Sequence, residues 1–192
     1  MKKILPLFLP LVFMFSCEKE EVNPPSPAER EVFLKERVFN GNSKWLMTKM
    51  EADVERVIND TKSKSWFTQL AACRTDNIYL FGDIGVSVTT VAIDEGTTSC
   101  SVNEQDYVDL GMFLSFTSDF SKAEVEIEGE AMQKLFGIAE DSYLEFSTFT
   151  HTWEFKEVTE SKVVINAIII PEESAGMVEE KANVTIVFER TN

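Results

Sequence analysis

The chain is poor in the residues that most enzyme chemistry needs. Among its 192 residues there is one histidine, His151, and only three cysteines, Cys17, Cys73 and Cys100. No Cys-x-x-Cys pair exists, so a zinc site lacks its usual ligand spacing, and no metal or cofactor is expected. There is no Gly-x-Ser-x-Gly elbow beside the single histidine, which leaves hydrolytic chemistry without a motif. The eight glycines are scattered and form neither a phosphate loop nor a dinucleotide fingerprint. Positive charge is scarce too: 18 basic residues against 33 acidic ones give a net charge of −15. A chain this acidic repels nucleic acid and anionic head groups, so neither is an expected partner. Long hydrophobic runs are also missing. The longest, Ile4 to Phe15, has twelve residues, whereas a helix needs about 20 to cross a bilayer.

What is present begins at the N-terminus. Lys2 and Lys3 precede the apolar stretch Ile4 to Phe15, and Ser16-Cys17 follows at once. This is the layout of an export signal. A small residue followed by cysteine at its end resembles the bacterial lipobox. That resemblance implies a signal peptide over 1–16 and makes Cys17 the acylated, palmitate-bearing N-terminus of the mature protein. Two or three acyl chains anchor stably where one binds only marginally. Cys17-Glu18-Lys19-Glu20-Glu21 further resembles the export signal of Bacteroidota lipoproteins and implies an outer-membrane location, surface-exposed where that signal is read. Pro24, Pro25 and Pro27, half of all the prolines, lie just beyond, so residues 17–31 read as a charged, proline-rich tether. In polyproline II geometry Glu18 to Ala28 spans about 30 Å.

With Cys17 assigned to lipid, Cys73 and Cys100 remain as a pair in an oxidising compartment, and a disulfide is expected. In the chain-entropy model it stabilises the fold by about 3.5 kcal/mol.

Residues 32–192 read as one mainly β domain. Val108, Leu110, Met112, Leu114 and Phe116 alternate with Asp109, Gly111, Phe113 and Ser115; Ala123, Val125 and Ile127 alternate with glutamates; Val184, Ile186 and Phe188 alternate with polar residues. Each is a half-buried strand. The run Val163 to Ile170 is apolar on both parities and should lie centrally or face a partner layer. Further strands are expected at Trp45 to Ala52, Asn77 to Gly82, Val86 to Ile93 and Leu144 to Glu157, about eight in all. Helical spacing occurs over Ala28 to Phe39, over part of Val54 to Cys73, and over Glu130 to Phe136, with Gly137 as its stop. Many antiparallel strands with short helices fit a closed barrel or a β-sandwich, and periodicity does not choose between them.

The order Trp45, Cys73-Arg74-Thr75-Asp76, the strand Asn77-Ile78-Tyr79-Leu80-Phe81, Gly96 and Cys100 resembles the lipocalin-like lipoproteins of Bacteroidota. The resemblance covers residues 41 to 192 and implies an antiparallel barrel that binds a small apolar or amphipathic ligand, without catalysis. Phe149, His151, Trp153 and Phe155 share one strand face and form the candidate ligand wall, with the same stripe as packed core for its plain alternative. The rival function is a β-sandwich surface module that recruits a glycan or protein through an exposed face. Glu124, Glu126, Glu128 and Glu130 form a carboxylate ladder that reads as a solvated face. No sequence feature identifies a protein partner.

Overall fold

The computed structural model describes residues 26–58, 61–82, 89–94, 96–98, 100, 107–137, 148–170 and 180–191. The chain enters through helix α1 (Pro27–Phe33) and a π-helical turn over Leu34–Val38. Ser26 caps α1. Its hydroxyl accepts from the Glu29 amide while the Glu29 carboxylate accepts from the Ser26 amide at 2.8 Å, and Pro27 supplies a pre-set φ at the first position. The last residues of the stretch read as tether, 27–31, are therefore helical.

Among the described residues nine strands follow: β1 (Lys44–Ile58), β2 (Thr61–Ser65), β3 (Ile78–Phe81), β4 (Thr89–Asp94), β5 (Tyr107–Phe116), β6 (Lys122–Glu128), β7 (Thr148–Val158), β8 (Lys162–Ile169) and β9 (Ala182–Arg190), with helix α2 (Gly129–Phe136) between β6 and β7. All pair antiparallel, in the order β2-β1-β3-β4-β5-β6-β7-β8-β9, and β1 also pairs with β9 from Trp45↔Arg190 to Ala52↔Val184. That last pairing closes an eight-strand up-and-down barrel and decides against the sandwich. Closure removes the two edges that an open sheet would expose.

β2 is the ninth strand and stands outside the ring. β1 is long enough to serve three neighbours: Lys44 to Leu46 face β3, Trp45 to Ala52 face β9, and from Glu51 onward the strand pairs with β2. The expected helix within Val54 to Cys73 is thus corrected. Val54 to Ile58 extend β1, Thr61-Lys62-Ser63-Lys64-Ser65 forms β2, and only two short 3-10 turns remain, at Phe67–Gln69 and Ala72–Arg74. Pairing with β1 wins over helical spacing because it satisfies the backbone of a segment with no apolar face of its own. The lysines of β2 mark it as a protected edge.

Along each ring strand one parity is sealed and the other wet. Val163, Ile165, Ala167 and Ile169 of β8 and Ala182, Val184, Ile186 and Phe188 of β9 are all fully buried. Val164, Ile168 and Ile170 point outward and are half-buried, so the run that is apolar on both parities lies between β7 and β9 in the ring and is fully sealed on its inner face alone.

The two ends of the barrel differ. At one end the β5–β6 and β7–β8 turns gather with the start of β1, whose Lys44 carbonyl accepts from the Thr191 amide at 2.9 Å. Phe39, delivered by the π-helical turn, closes this floor with its ring 5.1 Å from Phe81 and Phe116 and 6.0 Å from Phe155. Gly41, at φ +68°, makes the turn from this plug into β1. At the other end sit α2 and the segment from Trp66 to Arg74.

Candidate ligand-binding interior of the barrel

β7 positions the predicted wall. Its register against β6 and β8 turns Phe149, His151 and Trp153 into the barrel, where they expose 8%, 1% and 1% of their surface. Trp153 faces Ala123 on β6 and Ala167 on β8, so two of the smallest inward side chains flank the largest. Phe155 shares their parity but belongs to the floor. It stacks on Phe116 at 5.7 Å, and a register shift follows it before Glu157. The four-residue stripe is therefore divided: three residues line the shaft and one closes its base.

His151 lies beneath the plug at the opposite end. Its ring meets Phe136 of α2 edge-on at 5.8 Å, and Phe136 in turn meets Trp66 at 6.4 Å. The inward face of α2, Ala131, Met132, Leu135 and Phe136, is fully buried, so this helix stoppers the barrel. Gly137 ends it at φ +67°, and a Cβ there would stand 2.6 Å from Leu70 Cδ2. The helix predicted over Glu130 to Phe136 is present with the predicted stop. Glu130 consequently belongs to the helix, and the carboxylate ladder is shortened to Glu124, Glu126 and Glu128, exposed on the outer face of β6. Among the described residues no cluster of side chains offers a metal site.

Several site residues were not singled out by periodicity. Arg56, 3% exposed, lies over the Trp66 ring at 4.5 Å, and donates to the Gln69 side chain at 2.9 Å and to the Trp66 carbonyl at 3.2 Å. Burial lowers its guanidinium to about 10, so it remains a cation at neutral pH. Tyr79 and Trp45 are cross-strand partners on the interior wall, Tyr79 packed edge-on against Phe188 at 5.1 Å. Burial pushes the Tyr79 hydroxyl well above the ordinary phenol range. The indole nitrogens of Trp45, Trp66 and Trp153 and the Tyr79 hydroxyl are buried without a hydrogen-bond partner among the described residues. A tryptophan at position 45 is visible in the sequence; that it meets Tyr79 is a fact of strand pairing. Four methionines, Met47, Met50 and Met112 on the strands and Met132 on α2, are packed into the same interior.

The predicted disulfide joins Cys73 to Cys100, with Cα atoms 5.1 Å apart. It ties the approach to β3 to the chain beyond β4. Beside it, Asp76 accepts from the amide and hydroxyl of Thr97 at 2.9 and 3.0 Å, and a Cβ on Gly96 would collide with the Asp76 carbonyl oxygen. The Cys-x-x-Asp and Gly-x-x-x-Cys spacings thus encode one clamp: a bond, a carboxylate turn and a glycine that permits the approach.

His151 is sealed from solvent, so the solvent-accessible histidine that a hydrolytic site would use is not found at this position. No described helix is long and apolar enough to cross a membrane. Cys17 and the residues read as signal peptide lie outside the described residues.

No family model matches the chain, and no curated protein matches it. Among solved structures it is similar to bovine odorant binding protein in complex with a selenium-containing odorant. That likeness has a TM-score of 0.41 and 8% identity, and covers 78% of this chain and 70% of that one. The barrel assignment therefore rests on the strand order and the β1–β9 closure.

Proposed function

We propose that the protein is an exported lipoprotein of the bacterial outer membrane, held by acylated Cys17, whose barrel binds a small apolar or amphipathic molecule without transforming it. The reading is carried by one observation: the aromatic stripe of β7 faces the shaft of a closed barrel that is floored by Phe39 and stoppered by α2. A barrel of about eight strands is just wide enough to be filled by side chains or to hold one small ligand. Here the filling includes four methionines, the most adaptable of the apolar side chains, one of them on the stopper itself. A ligand enters this interior by displacing α2 and repacking those side chains. A tether from Cys17 to the start of α1 and the acidic composition suit a domain held away from an anionic bilayer.

Native mass spectrometry of the lipoprotein purified from its own host tests the ligand. A mass increment lost on denaturation is expected, and a bare chain that also takes up no added amphiphile removes the binding reading. For the anchor, Cys17→Ala should release the protein from the membrane fraction, with the mature mass reduced by its acyl groups. Retention at unchanged mass refutes lipidation.

A further inference from the structure

The inner wall contains more hydrogen-bond donors than its own atoms satisfy. Trp45 Nε1, Trp153 Nε1 and Tyr79 Oη are each fully buried and have no hydrogen-bond partner among the described residues. Buried donors are nearly always paired, and those left unpaired in a native interior call for an acceptor. An indole N–H can only donate, and a phenol that stays protonated at neutral pH donates as well. On β8 and β9 the facing side chains are aliphatic or aromatic and strand carbonyls are engaged in the ladders; the polar side chains buried elsewhere on the wall, Asn77 and His151, do not reach these three donors. What would complete this interior is oxygen with free lone pairs on an otherwise apolar body.

The same wall disfavours a charged oxygen. Its donors at Trp45, Tyr79 and Trp153 are neutral, the buried cation Arg56 is already bonded to Gln69 and to the Trp66 carbonyl at the stoppered end, and Arg74, whose charge acts on the Tyr79 hydroxyl, is itself half-exposed to water. An ionised carboxylate taken out of water needs a paired charge to offset its desolvation, and the net charge of −15 repels it on approach. A ketone, ester or aldehyde loses much less hydration and presents two lone pairs. Trp45 and Tyr79 are register partners on β1 and β3, which puts their two donors on adjacent strands of one wall; Trp153, between Ala123 and Ala167, presents its indole from β7.

Building on the ligand-binding reading, we propose that the barrel selects uncharged, carbonyl-bearing apolar molecules, and that Trp45, Tyr79 and Trp153 are the donors from which the carbonyl oxygen takes its hydrogen bonds. The experiment uses the full mature chain with Cys17→Ala, which removes the lipid but no domain, and three probes of one length: 2-undecanone, undecane and undecanoate. Binding is measured by calorimetry and by the three indole N–H resonances, one per tryptophan. The ketone should shift the Trp45 and Trp153 N–H signals downfield. Tyr79→Phe should weaken ketone binding about three- to tenfold while leaving undecane unchanged, as loss of one neutral hydrogen bond implies. The variant removes only an unpartnered hydroxyl, so its unfolding midpoint should be kept or raised, and Trp153→Phe repeats the test at the second donor. If both variants weaken ketone and alkane alike, or the indole signals stay still in the ketone complex, the donor assignment is overturned while ligand binding stands. Undecanoate binding tightest also overturns it, in favour of Arg56. Should none of the three probes bind, the ligand-binding reading fails first and the carbonyl assignment with it.

Discussion

Trp153 shows how much one side chain can carry here. It exposes 1% of its surface and spans the shaft between two alanines, so no neighbour is large enough to collapse into its place. Trp153→Ala should therefore cost about 3–5 kcal/mol, read from urea unfolding, whereas Trp153→Phe keeps most of the contact area and should cost much less. A loss under about 1.5 kcal/mol for the alanine variant would mean that the indole is not packed as the structure has it. Glu154 acts on the opposite, wet face of the same strand. Lys122 and then Lys156, each at 2.6 Å, hold its carboxyl down at about 2. Because the folded state binds that proton less readily than the unfolded chain, Glu154 contributes stability above the ordinary carboxylate range near pH 4.3, and the contribution is lost as pH falls toward 2. Glu154→Gln should flatten the acid limb of a stability–pH profile between about pH 4.5 and 2; an unchanged limb assigns the acid sensitivity elsewhere.

Helix α2 is held by its ends and one face rather than by helical propensity, since eight residues are too few to be stable alone. Its stop is Gly137, at φ +67° and against Leu70. Gly137→Ala combines a left-handed backbone that costs an L-residue about 1–2 kcal/mol with a side-chain clash, and should loosen the stopper before the barrel. Hydrogen exchange checks this: faster exchange of α2 amides with β8 and β9 protected is expected, and uniform loss of protection would show that α2 and the barrel unfold together. The strands themselves were legible wherever one parity is apolar, as at Ala123-Val125-Ile127 and Val184-Ile186-Phe188. β2 was not, because its pairing with β1 is long-range and Thr61-Lys62-Ser63-Lys64-Ser65 has no buried face to leave a pattern. The motif Cys73 to Cys100 named the clamp residues; how Gly96 and Thr97 engage Asp76 required the fold.

At the scale of the whole molecule the disulfide fastens the ring's early strands outside the barrel wall. Reduction should lower stability by about 3.5 kcal/mol while leaving the far-ultraviolet dichroism of a β protein in place. Loss of all strand signal on reduction would show that the bond is required for the fold rather than a brace on it.

Composition, charge and local spacing by themselves determined the availability of Cys73 and Cys100 for one another, the face that each alternating ring strand buries, and the helix that stops at Gly137. These depend on residues close together in the chain or on simple counts. Tertiary structure alone decided that β1 meets β9 and makes a barrel of what would otherwise be an open sheet, that Phe155 belongs to the floor rather than the shaft, that α2 fills the mouth, and that Trp45 stands beside Tyr79 with neither polar atom satisfied. Alternation tells which side of a strand is apolar, but pairing partners are chosen by the global competition to bury all apolar faces and satisfy every backbone group at once, and that choice leaves no local mark.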